Sequence, residues 1–157
     1  MKLLSVEEKL NLCKEHLKAT KTKGTEIESI LTKFLLVYIC GEYEKIIKKM
    51  INSRVAQTGD KELESFVDKT VKMYRLLEIK DIRGSLLKKF SDNYVSKFDE
   101  VTKDRDEEKS RYNNIVGARH SVAHGMDINI TFDELEDSYH KAGKILLAIK
   151  EALELNK

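Results

Sequence analysis

Proline is absent from all 157 residues of this chain, where ordinary usage near 5% would place about eight. Interior helix positions exclude proline because its ring removes a backbone donor and collides with the preceding turn. The absence predicts long, uninterrupted helices. Tryptophan is missing too, and aromatic residues make up only 7%. Cysteine occurs just twice, as Cys13 and Cys40, each among apolar residues at helical spacing. Such cysteines read as small buried hydrophobes, not as a disulfide framework, and suit a reducing cytoplasm.

Long hydrophobic runs are also lacking. The longest, Phe34 to Cys40, falls far short of the roughly 18 residues that suggest a membrane span. The start, Met1-Lys-Leu-Leu, briefly imitates a signal peptide, but Glu7, Glu8 and Lys9 interrupt it before an apolar stretch of useful length forms. A cytoplasmic protein is expected, with no membrane partner. No excess of one charge stands out either. The net charge of +2 is too mild to announce a nucleic-acid binder by bulk electrostatics.

Charge is nevertheless uneven along the chain. Residues 1–40 carry 7 basic and 5 acidic side chains, residues 41–90 carry 12 and 8, and residues 91–157 carry 10 and 14. The middle third is therefore the electropositive one. Its cations include Lys45, Lys48, Lys49, Arg54, Lys69, Lys72 and Arg75, and the first reading of each is a solvated helix face with ordinary ion pairs.

What is present, 41% hydrophobic and 36% charged residues, suits a helical protein with many surface ion pairs. At this length a domain hides roughly 70% of its extended surface, so residues 1–157 are expected to form a single domain with one core. Ser5 with Glu8 reads as a capping box before a helix whose apolar positions are Leu3, Val6, Leu10, Cys13 and Leu17. Thr25 with Glu28 reads as a second, before a helix that becomes hydrophobic on all sides around residues 34–40 and continues past Gly41 toward Val55, as a central bundle member would.

A further helix is expected from Asp60 through Leu63, Phe66, Val67, Val71, Tyr74 and Leu77, then one or two short ones over residues 79–98. Asp106, Glu107 and Glu108 mark an exposed first turn, where the helix dipole favours carboxylates. That helix runs to His124, and Gly125 ends it. Residues 127–131 alternate like a very short strand. Thr131 with Glu134 is a third capping box, opening a last helix with Phe132, Leu135, Tyr139, Ala142, Leu146, Ile149 and Leu153 on one face. An all-α, up-and-down bundle of five or six helices is the expected architecture.

The segment Tyr112 to Gly125 carries the chemistry. On a helix, Arg119 lies in the middle of the apolar stripe formed by Ile115, Val116, Val122 and Ala123. A guanidinium there is costly unless paired or used. Beside it runs a narrow polar strip of Asn113, Gly117, His120 and His124. Three readings stay open on the residues alone. Arg119 can snorkel from a stripe edge while His124 merely favours a helix C-terminus. His120 and His124, four apart, can share a metal ion with a donor such as His140. Or the set performs metal-free RNA cleavage, which needs a base for the ribose 2′-hydroxyl, an acid for the leaving 5′-oxygen and a cation at the phosphate. Histidine suits both proton roles, and the planar fork of arginine matches phosphate.

Arg119-His-Ser-Val-Ala-His124 resembles the R-x4-6-H motif of HEPN domains, with the Ala-His-Gly ending at Ala123 to Gly125 and a following loop and amphipathic helix. The ending looks like the RiboL-PSP-type HEPN branch. The resemblance implies a HEPN-like fold and a metal-independent endoribonuclease needing no cofactor, whose site forms between the two protomers of a homodimer. Arg119 and His124 then stand at the catalytic positions. His120 occupies the supporting polar position where Asn or Asp is frequent. Many such domains act as toxins or antiphage effectors, which implies an RNA substrate and a neutralising protein partner. The alternative is a HEPN-like module that dimerises or binds a nucleotide or partner without catalysis.

Overall fold

The computed structural model describes residues 1–75 and 78–154. Seven helices form among them and no strand does: α1 (Leu4–Thr20), α2 (Glu26–Ala56), α3 (Lys61–Val71), α4 (Ile79–Asp81), α5 (Asp92–Thr102), α6 (Asp106–Ala123) and α7 (Phe132–Leu153). The single-turn α4 runs on through a π-helical turn, Ile82–Leu86, and a 3₁₀ turn, Leu87–Lys89. The all-α architecture is the expected one, and α4 brings the count above five or six. Gly41 does not interrupt α2, whose 31 residues extend about 46 Å at 1.5 Å per residue.

The core is built around α7, which packs on α6, α2 and α5. Its apolar positions recur at three and four, so Leu135, Tyr139, Ala142, Leu146, Ile149 and Leu153 are all buried, as the sequence spacing predicts. Helix α1 lies on α2, and α3 covers another part of α2. Three tyrosines join the central helices. Tyr43 of α2 stacks on Tyr112 of α6 with ring centroids 6.0 Å apart and planes within 2°, and on Tyr139 of α7 at 6.2 Å. The Tyr43 hydroxyl donates to the Tyr139 carbonyl at 3.1 Å, and the Tyr139 hydroxyl accepts the Leu3 N–H at 2.8 Å.

Helix starts differ from expectation in two places out of three. Thr131 and Glu134 form the reciprocal capping box that the spacing predicts. Ser5 does not cap α1, because the helix begins at Leu4 with Leu3 at its N-cap, so Ser5 already lies inside it, and the Ser5 hydroxyl donates to Glu42 of α2 at 3.0 Å. At α2, the Thr25 hydroxyl accepts the Ile27 N–H, while Glu28 serves two other segments. One Glu28 oxygen takes the Gly24 N–H and the other takes the Phe132 N–H at the start of α7. A long-range tie outcompetes the local box because it satisfies a helix N-terminal donor that would otherwise be buried without a partner.

The expectation for α3 is also corrected. The helix ends at Val71, and Phe66 is 67% exposed, with Leu63 also at the surface. Only one edge of its apolar arc meets the core. Leu77, expected on the same face, lies outside the described residues. Residues 127–131 form an irregular connection, not a strand.

Burial pushes the Tyr43 and Tyr112 phenols well up, and carries the Tyr139 phenol and the Cys40 thiol up to about 12. These groups keep their protons in the folded chain above the pH at which the unfolded chain releases them. Their contribution is therefore present below about pH 9 and is lost as pH rises toward 12. Alkaline titration is expected to show these phenols ionising together with unfolding, read by phenolate absorbance alongside circular dichroism. Tyr139→Phe leaves the buried Leu3 amide unsatisfied and is expected to cost about 1–3 kcal/mol in urea denaturation.

Candidate functional site

Helix α6 turns one face inward. Tyr112, Ile115 and Val116 on that face are buried, and Cys40 of α2 donates its thiol hydrogen to the Ile115 carbonyl at 3.8 Å. Arg119 continues the same line one turn later and is half-buried, while Ala123, a turn beyond, is exposed. The face thus passes from core to solvent within three turns. The guanidinium stands close enough to Cys40 to pull its thiol pKa down against the stronger upward push of burial.

Most other arginines are held. Arg83 pairs with Asp99 at 2.6 Å, Arg111 with Asp137 at 3.5 Å, Arg54 donates to the Tyr94 hydroxyl at 2.8 Å and Arg105 to the Lys144 carbonyl at 3.3 Å. Arg119 has no hydrogen bond or ion pair among the described residues. Arg75 shares that condition but lies exposed on the surface. A half-buried cation without a carboxylate is the arrangement that the sequence position flags as costly unless used.

The end of α6 fixes the two histidines. His124 is the last residue before the chain reverses, and its N–H reaches the His120 and Ser121 carbonyls. Gly125 takes φ +69. Its N–H bonds to the Val122 carbonyl at 3.1 Å and the Met126 N–H bonds to the Ser121 carbonyl at 3.0 Å, the paired closure of a Schellman motif. Both imidazoles stand exposed, with ring centroids 4.4 Å apart and planes at 65°. The structure thus brings His120 and His124 together at the tip, with Arg119 on the neighbouring, half-buried side of the same two turns.

The rest of the expected polar strip divides. Asn113 spends its carboxamide oxygen on the Ile79 N–H, capping α4 at 3.0 Å. Gly117 faces open space, since a Cβ there would meet nothing within 4 Å. His140, the donor that could complete a metal set, faces Glu7 instead, with Nδ1 3.6 Å from its carboxylate. Among the described residues no group of three His, Cys, Asp or Glu side chains is placed to hold a metal ion.

One feature of the surroundings departs from the sequence reading. Residues 34–40 of α2 are not buried all round: Phe34 is 50% and Val37 47% exposed. With Ile27, Ile30 and the exposed Gly41 they form one apolar stripe at helical spacing. Lys33, on the α6 side of that stripe, pairs with Asp127 at 3.0 Å and so ties α2 to the segment following the histidines. The middle-third lysines are largely neutralised. Lys45, Lys48, Lys61 and Lys72 pair with Glu42, Glu44, Glu64 and Asp68, around a groove of about 870 Å³ between α2 and α3.

A family model described as RiboL-PSP-HEPN matches residues 2–155. No curated protein and no solved structure matches the chain. Among the described residues no helix is long and apolar enough to cross a membrane.

The positive φ at Gly125 makes a direct prediction. Gly125→Ala is expected to cost about 1–2 kcal/mol, the penalty of a side chain in the left-handed region. Thermal melting measures the loss, and the His124 ring resonances are expected to move with it.

Proposed function

The chain belongs to the RiboL-PSP-HEPN family, and from that premise we propose that it is a metal-independent endoribonuclease acting on single-stranded RNA as a homodimer in the cytoplasm. The observation that carries the reading is the α6 tip. A half-buried guanidinium without a carboxylate partner lies beside two exposed imidazoles in ring contact. One imidazole removes the proton of the 2′-hydroxyl, whose oxygen attacks the adjacent phosphorus. A second imidazole donates a proton to the departing 5′-oxygen, and the products carry a 2′,3′-cyclic phosphate and a free 5′-hydroxyl. Arg119 stabilises the charge that builds on the phosphoryl oxygens. His124 is assigned a proton-transfer role, and His120 orients it or shares the transfer.

One α6 tip supplies one arginine and two histidines. A two-fold contact doubles that set, because an isologous interface places the same patch on both sides. The exposed α2 stripe from Ile27 to Gly41 supports this arrangement: it adjoins α6, presents large apolar side chains to solvent, and is of the kind that marks an association surface. The physiological role we assign is that of a toxin or antiphage effector restrained by a protein partner. The rival reading, a helical module that dimerises without catalysis, draws on the same α2 stripe.

In a cleavage assay on unstructured RNA, Arg119→Ala and His124→Ala are each expected to lower the rate at least about 10²-fold, with the dimer intact by sedimentation. Excess EDTA is expected to leave the rate unchanged, and product analysis to find cyclic phosphate ends. Phe34→Asp is expected to give a folded monomer with little activity. Cleavage that survives loss of both Arg119 and His124 refutes the assignment. A dimer with no cleavage at all leaves the rival.

A further inference from the structure

Behind the tip, between α6, the 125–131 segment and the start of α7, lies a cleft of about 500 Å³, within the range of small-ligand sites. Its charged residues are already engaged. Asp127 pairs with Lys33, Glu134 accepts the Thr131 N–H in the capping box, and Arg111 is held by Asp137. What stays available is neutral. Asn114 and Asn129 are exposed and make no side-chain hydrogen bond among the described residues, and Asn113 keeps its amide hydrogens after its oxygen has capped α4.

Ser138 gives the cleft an independent signature. It is 2% exposed and lines the cleft from α7, yet its hydroxyl makes no hydrogen bond among the described residues. A hydroxyl inside a helix ordinarily bonds back to the carbonyl four residues earlier. Thr32 and Thr102, the other buried serine or threonine hydroxyls, do so at 2.8 Å to Glu28 and Phe98. Ser138 leaves that bond unmade and points its capacity into the cleft. The hydroxyl therefore keeps its donor and acceptor free at the cleft wall for whatever enters it.

We infer that this cleft is a nucleobase-binding subsite, in which Asn114, Asn129 and Ser138 read the edge of a base that lies against Gly117. Carboxamides and hydroxyls supply the paired donors and acceptors that a heterocycle edge presents, whereas a phosphate would need free cations that the cleft lacks. Gly117 contributes a flat, open wall where a planar ring can approach the backbone. From Gly117 to His120 and His124 the helix rises about 5 and 10 Å at 1.5 Å per residue, so the subsite takes a base neighbouring the scissile linkage. The subsite supplies base preference to the ribonuclease proposed above and rests on that reading.

The test separates the two. The four ribonucleoside 3′-monophosphates and inorganic phosphate are titrated into the full-length protein, and side-chain amide resonances of Asn113, Asn114 and Asn129 are followed by NMR. Base-selective shifts are expected, with binding weakened about 5- to 10-fold in Ser138→Ala, the effect of one lost hydrogen bond, and weakened further in Asn114→Ala/Asn129→Ala, which removes two. Equal shifts from all four nucleotides, shifts reproduced by phosphate alone, or affinities unchanged in the variants overturn the inference. Sequencing of cleavage ends is expected to show a base preference that the double variant loses. Base-selective binding in a protein that cuts no RNA keeps the subsite and removes the ribonuclease.

Discussion

The face of α6 that begins in the core and ends in solvent governs everything at the tip. Tyr112 is locked by its parallel stack on Tyr43, and Ile115 and Val116 are buried against the neighbouring helices. With three residues fixed on one side of a rigid helix, the azimuth of every later side chain is set as well. Arg119 must then lie against α2 near Cys40, and His120 and His124 must stand off its flank. Side chains carried by a packed helix and closed by a left-handed glycine hold their geometry better than the same side chains on a loop.

That arrangement was legible in the sequence to different depths. The regularity of α7, the glycine after His124 and the capping box at Thr131 could be read directly, because each is a local rule with a local cause. The Ser5 and Thr25 boxes could not. Their spacing is correct, but Glu42 claims the Ser5 hydroxyl, and the backbone donors of Gly24 and Phe132 claim Glu28. These competitors are distant in sequence and invisible to any window of a few residues. Phe66 shows the same limit, since a periodic pattern tells which residues share a face and not whether another helix covers it.

Recognition of the candidate site was sharper than recognition of its surroundings. The motif from Arg119 to His124 announces itself by an arginine on an apolar stripe, and no carboxylate among the described residues pairs with that arginine. The α2 stripe was hidden for a physical reason: a helix apolar on all sides reads the same whether its last uncovered face meets its own chain or another. Ser138 was hidden because it sits among apolar residues on α7 and resembles a tolerated small residue. Only its missing back-bond, set beside those of Thr32 and Thr102, sets it apart.

Helix α7 carries a consequence for biosynthesis. Twelve of its residues are buried, and α2, α5 and α6 all pack on it, yet it follows them in the chain. During translation, which proceeds at about 5–20 residues per second, the earlier helices leave the ribosome with an apolar trough and no lid. Until the final helix zips into that trough, α6 lacks the support that aims its tip. A cell making this protein therefore holds it in an immature form until α7 has been made and docked, and a chaperone that grips apolar surface has the open trough to bind during that interval.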